Sequence, residues 1–157
     1  MRENEYGPVG MYFEEFEVGT KMKTRGRTIT EADLVNFAGL TGDYNPMHTS
    51  AAYAENTMFG KRVAHGMLSL SYAVGQAYQL GFLEQTVLAF RELDMKFSQP
   101  VLIGDTIHVE LEVKEVKPMA RLGGGNVVMG VKIVNQDGKT VQKGNWTMLM
   151  AFAPEAE

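Results

Sequence analysis

The chain offers few groups for chemistry. It has three histidines and no cysteine among 157 residues. Thiolate nucleophiles, disulfides, thiolate zinc sites and iron–sulfur clusters are therefore excluded. His48 stands out because Asp43 lies five positions before it and Asn45-Pro46 stiffens the chain between them. A fixed turn can aim a carboxylate and an imidazole at one point. Such a pair can hold one water, one group taking its proton while the other delivers a proton to the substrate. General acid–base catalysis needs groups that titrate near neutrality and are held in place. The same residues also suit an Asx-type turn, with Asp43 bonding nearby amides and His48 incidental. Spacing leaves both readings open.

The other candidates carry weaker signals. His65 precedes an uncharged segment and is expected to cap a helix or hold a loop. His108 falls in the charged phase of an alternating strand and reads as an exposed strand residue. Asp43, His48 and His65 are three potential metal ligands, but no i, i+4 histidine pair supports a metal site, and none is expected. Ser69 and Ser71 lack a Gly-x-Ser-x-Gly elbow. Gly66 opens the uncharged segment. If a helix starts there, its amide is free at the positive end of the dipole, and glycine allows close approach of a ligand. That suits a developing oxyanion; the alternative is a glycine that merely permits close packing. Lys61-Arg62 just ahead could meet a phosphate or form a solvated surface pair. Arg121-Leu-Gly-Gly-Gly-Asn126 has no Gly-Lys-Ser/Thr ending and is a loop.

These groups must be positioned by the elements around them. Residues 1–19 read as an irregular arm, with Tyr12, Phe13, Phe16 and Val18 available to attach it. Lys21 to Ile29 reads as a first strand. Thr30-Glu-Ala-Asp33 is a helix start, with Thr30 as cap and acids complementing the dipole. Its apolar face runs through Leu34, Val35, Phe37, Ala38 and Thr41, and Gly42 should end it. Pro46 pushes Asn45 towards an extended conformation, so residues 42–48 are expected as a turn or loop. Ser50 to Ala54 reads as a short helix capped by Thr49 or Ser50. His65 to Leu80 is the main helix, about 24 Å long at the standard rise. It has no charge on any face, so it should be surrounded by protein.

The second half is strand-like. Leu93, Met95 and Phe97 alternate with Glu92, Asp94 and Lys96. Ile107, Val109, Leu111 and Val113 alternate with His108, Glu110, Glu112 and Lys114. Asn126 to Val134 and Val141 to Phe152 supply two more strands, joined by a hairpin turn in which Asp137-Gly138 provides positive φ. A helix without a polar face packs if the sheet curls around it. That is an α+β hot-dog fold, with an antiparallel sheet wrapped around a long central helix. Pairing two sheet edges across a two-fold axis would give a homodimer or a dimer-based assembly.

Composition bounds the partners. The hydrophobic fraction is 45%, the charged fraction 22% and the formal net charge −4. One domain over residues 1–157 is expected. No long run of either sign favours nucleic acid or an anionic membrane. From Val63 to Leu83 there is no Asp, Glu, Lys or Arg, but His65, Ser69, Ser71, Gln76, Gln79 and three glycines argue for a buried helix over a membrane span. The polar, acidic N-terminus is unlike a signal peptide, which makes the cytoplasm the expected location.

Three segments carry a family resemblance. Gly42-Asp-Tyr-Asn-Pro-Met-His48, Phe59-Gly-Lys-Arg-Val-Ala-His-Gly-Met67 and Phe97-Ser-Gln-Pro-Val-Leu-Ile-Gly-Asp105 closely resemble the MaoC-like (R)-specific enoyl-CoA hydratases. Together they cover most of residues 12 to 152. The resemblance implies a hot-dog fold, usually dimeric or higher. It implies hydro-lyase activity, the reversible hydration of a trans-2-enoyl-CoA to an (R)-3-hydroxyacyl-CoA. Asp43 and His48 match the family's catalytic dyad, and Gly66 the position whose amide binds the thioester oxygen. Asn45 and Ser71 fall where the family places supporting residues. Coenzyme A is then part of the substrate, and no separate cofactor is expected. Many members carry an acid two residues after the catalytic histidine, where this chain has Ser50. Nothing in the sequence fixes the acyl chain length. The rivals are a hot-dog acyl-CoA thioesterase and a non-catalytic acyl-CoA-binding subunit. The first is disfavoured by a central helix without an acid, the second by the presence of both Asp43 and His48.

Overall fold

The computed structural model describes residues 2–155. Its organising element is an antiparallel sheet built from the alternating segments of the second half. These are β5 (Val87–Phe97), β6 (Thr106–Met119), β7 (Gly124–Val134) and β8 (Thr140–Ala151). Ahead of them come β1 (Arg2–Asn4), β2 (Gly7–Val9), β3 (Lys21–Lys23), β4 (Arg27–Thr28), α1 (Glu31–Thr41), α2 (Pro46–Thr49), α3 (Ala51–Ala54) and α4 (Gly66–Tyr78). Spatial order is β3-β6-β7-β8-β5, with β4 also on β6. Among the described residues β5 pairs only with β8, which leaves it at an edge.

The inward phase of each inner strand forms one core with α4. Ile107, Val109, Leu111 and Val113 of β6, Val127, Met129, Val131 and Ile133 of β7, and Trp146, Met148 and Met150 of β8 are buried. Leu68, Leu70, Ala73 and Ala77 of α4 join them. The hot-dog arrangement expected from the pattern is the one found. The Asn135–Lys139 turn is also as expected, with Gly138 at φ 75°. Among the described residues no helix is long and apolar enough to cross a membrane.

α1 forms where its start and stop signals place it. Thr30 Oγ1 accepts from the Asp33 amide, and the Asp33 carboxylate accepts from the Thr30 amide. Gly42 closes the helix at φ 78°. Ser50 caps α3, its hydroxyl accepting from the Tyr53 amide.

Other expectations are corrected. Lys21 to Ile29 is not one strand. Thr24 bonds Val109 through both its amide and its hydroxyl, and the chain leaves the ladder until Arg27. The arm is not irregular throughout: β1 and β2 form a small hairpin, and Phe13–Glu15 is a 3-10 turn. Phe13 and Phe16 attach it, whereas Val18 stays exposed. Residues 42–48 are not all loop, because Pro46 at a first helical position and Asn45 as its cap start a turn of helix. α4 spans 13 residues, about 20 Å, and is shorter at both ends than the pattern suggested. Nor is it covered all round by its own chain. Met67, Ser71, Gly75 and Tyr78 form an exposed, uncharged stripe.

Candidate active site

The chain from Gly42 to Thr49 is held by successive local bonds. Asp43 Oδ1 accepts from the Asn45 amide at 3.2 Å, and Asn45 Oδ1 accepts from the Met47 amide at 3.2 Å. The Thr49 hydroxyl donates back to the Tyr44 and Asn45 carbonyls. Each bond is of the kind that Asp, Asn and Thr side chains make with nearby backbone. The result brings the His48 ring, 8% exposed, under the Asp43 carboxylate.

The two carboxylate oxygens have different tasks. Oδ1 is spent on the turn, while Oδ2 faces His48 Nε2 at 3.9 Å. His48 Nδ1 lies 2.7 Å from the Val63 carbonyl. A carbonyl only accepts, so Nδ1 carries a proton and Nε2 is the nitrogen turned to Asp43, an acceptor in the neutral ring. The Asx turn and the dyad are therefore compatible. The separation of 3.9 Å is too long for a direct hydrogen bond but suits a bridging water.

His65 holds this pair from below. It is 2% exposed, and its Nε2–H donates to the Asp43 carbonyl at 3.0 Å. Its ring stacks on His48 with centroids 3.9 Å apart and planes at 26°, and Phe37 closes its other side at 4.9 Å. One histidine thus fixes both the backbone of Asp43 and the plane of His48.

Asp43, His48 and His65 each bring a potential ligand atom within 4.8 Å of the others. The donor set does not fit a cation. A nitrogen ligates along a lone pair in its ring plane, and two nearly parallel stacked rings do not aim at one point.

Gly66 opens α4 beside the dyad. Its amide makes no hydrogen bond among the described residues, as expected at a helix start. Its carbonyl accepts from Gln142 Nε2 at 2.9 Å, and Gln142 is 2% exposed. A Cβ at position 66 would lie 2.8 Å from two atoms of the Phe97 ring. Glycine is thus required for the ring to sit there. His48, Gly66, Phe97 and Gln142 line a cavity of about 510 Å³ with Val63, Ser69 and Val101.

Asn45 stands in the same turn and caps α2. The remaining candidates lie elsewhere. Ser71 is exposed, donates to the Met67 carbonyl at 2.7 Å, and lines a separate cleft with Arg25 and Arg27. Lys61 and Arg62 line a third cleft, and Arg62 is committed to Glu31 at 2.7 Å. His108 is half-buried and 3.2 Å from Glu110. Reading the sequence did not single out Gln142, Phe37 or the Val63 carbonyl. The only trace of Gln142 was a polar residue inside an apolar strand. The carbonyl leaves no trace, since every residue has one.

The profile described as "MaoC like domain" matches residues 14–135. "Protein MaoC" of Klebsiella aerogenes is 38% identical over 114 residues, which are 73% of this chain and 34% of that protein. The chain thus spans about a third of that relative. An "(R)-specific enoyl-CoA hydratase" of Rhodospirillum rubrum is 37% identical over 108 residues, 68% of this chain and 72% of that one. Among solved structures, "R-Hydratase PhaJ1" from Pseudomonas aeruginosa superposes with a TM-score of 0.78 at 34% identity. The match covers 94% of this chain and 93% of that one.

Proposed function

Because the chain belongs to the MaoC-like domain family, we propose that it is an (R)-specific enoyl-CoA hydratase, a hydro-lyase that adds water reversibly to a trans-2-enoyl-CoA. The observation that carries this reading is the free face of the dyad. Asp43 Oδ2 and His48 Nε2 are the atoms left over when the fold has used Oδ1 and Nδ1. A water between them gives its oxygen to the β-carbon. A proton passes through the pair to the α-carbon, so one water supplies both groups. Negative charge collects on the thioester oxygen as an enolate, and the Gly66 amide at the start of α4 meets it. Return of the proton and loss of hydroxide from the 3-hydroxyacyl thioester give the dehydratase direction. Coenzyme A enters and leaves as part of the substrate.

The assembly is a homodimer on this reading. The free edge of β5 carries the exposed side chains of Leu88, Phe90 and Leu93, and the uncharged stripe of α4 is likewise uncovered. Pairing β5 with its copy would satisfy that edge. The cysteine-free composition suits a reducing, cytoplasmic setting.

Crotonyl-CoA tests the reaction. Loss of the enoyl-thioester absorbance, with (R)-3-hydroxybutyryl-CoA as the product, is the expected result. Release of free thiol without loss of the double bond would point to the thioesterase. Binding without turnover would point to an acyl-CoA-binding subunit.

A further inference from the structure

The side of the sheet facing away from α4 carries charges that the hydration chemistry does not use. Strand register arranges them. Lys23, Glu110, Lys132, Lys143 and Lys96 stand opposite one another across β3, β6, β7, β8 and β5. The next row is Lys21, Glu112, Gly130, Asn145 and Asp94. Lys114 lies beside it, at the register shift in β6. The two rows line a cleft of about 620 Å³ with six lysines against three carboxylates. That surplus sits on a chain whose formal charge is −4.

The placing of the charges matters more than their number. Lys23 is 4.0 Å from Glu110, and Lys114 is 2.9 Å from Glu112. The hydrogen bond from Lys114, with the charges of Lys21 and Lys132, holds the Glu112 carboxyl below its ordinary value. Lys132, Lys143 and Lys96 have no carboxylate within 4.0 Å among the described residues. They are direct neighbours on three adjacent strands, where like charges destabilise the pairing. A merely solvated face would do as well with alternating signs, as the first half of the same row has. The three strands span about 10 Å. A single phosphate would reach only part of that row, whereas a chain of linked phosphates can meet all three ammonium groups. Gly130 makes room for the Lys114 stem to lie across the floor: a Cβ there would lie 2.7 Å from Lys114 Cε. The cleft also has the size of a small-ligand site. Stacking the same face of a second copy on it would oppose like charges.

We propose that this cleft binds a small polyanion with two or more linked phosphate groups. The site is independent of the hydratase reading, since none of these lysines lines the His48 cavity. The test is calorimetric titration of the whole protein with inorganic tripolyphosphate. Saturable binding is expected, weakening as salt rises from about 0.05 M to about 0.5 M because the charges are exposed. The variant K96Q/K132Q/K143Q should bind at least about tenfold more weakly, a difference of about 1.4 kcal/mol, and keep its crotonyl-CoA activity. Asp94→Asn should shift affinity the other way and tighten binding, which guards against a misfolded triple variant. ATP distinguishes a nucleotide from an inorganic phosphate chain, and tighter binding of ATP than of tripolyphosphate, lost in the triple variant, supports the site. Equal binding by the triple variant overturns the proposal, as does equal affinity for orthophosphate. Stronger binding of polyglutamate overturns it in favour of an acidic protein surface.

Discussion

Gly66→Ala separates the catalytic role proposed for the α4 start from its packing role. On stability, two effects oppose. Alanine is favoured over glycine in a helix by up to about 1 kcal/mol, and by less in a first turn. The new Cβ would lie 2.8 Å from Cδ1 and Cε1 of Phe97, so the ring must move. Phe97 is 54% exposed and can swing away at an off-rotamer cost of about 0.5–1.5 kcal/mol. The terms nearly cancel, and the urea midpoint should change little. On activity they do not cancel. The methyl stands beside the Gly66 amide, which with that of Met67 has no partner among the described residues, and the displaced ring disturbs the cavity wall. Alanine keeps the N–H, so the expected loss comes from the methyl and the moved ring holding the thioester oxygen off it, and approaches the about 10²–10³ in kcat of a lost oxyanion donor where the block is complete. The assay is kcat and KM for crotonyl-CoA beside a urea melt of the same preparation. A kcat within about threefold of the parent, at an unchanged midpoint, refutes the oxyanion assignment.

Asp43→Asn should lower kcat by about 10²–10⁴, the usual range for one acid–base group. Its stability should stay within about 0.5 kcal/mol, because the side chain is 52% exposed and an amide oxygen can keep the turn; parental kcat would sink the dyad. Asn45→Ala removes the α2 cap and should cost about 1 kcal/mol in urea melts, with a loss of kcat from a mispositioned His48; an unchanged melt would show that the cap is dispensable. Burial raises the Asp33 pKa, but bonds from Thr30 and Tyr72 and the charge of Arg27 outweigh it and hold the carboxyl below its ordinary 3.8. A depressed folded value means stability present above pH 3.8 and lost as pH falls through the lowered value. Asp33→Asn should therefore flatten the acid side of a Tm-against-pH curve, and an unaltered curve would contradict this. Exhaustive chelation should leave crotonyl-CoA hydration unchanged, and a rate restored by added zinc would reverse the reading of the stacked histidines.

Local signals in the sequence determined the frame. Thr30, Asp33 and Gly42 bound α1 because caps act through neighbouring backbone. Strict alternation in β6 placed its inward side chains, since a strand's period of two leaves one choice of face. The Asp43–His48 spacing pointed to a pair but could not separate a turn from a dyad. In the structure the two are compatible, because Oδ1 takes the Asn45 amide while Oδ2 faces His48. Tertiary contacts decided the rest. The Val63 carbonyl set the His48 tautomer, and His65 set its plane. Gln142, 76 positions away, fastened the Gly66 carbonyl. Register across five strands brought lysines that are scattered in sequence into one row. Caps and strand periods are local and can be read along the chain. The tautomer, the setting of the Gly66 amide and the lysine cleft depend on which distant backbone lies alongside, and that is decided only when the sheet closes on the helix.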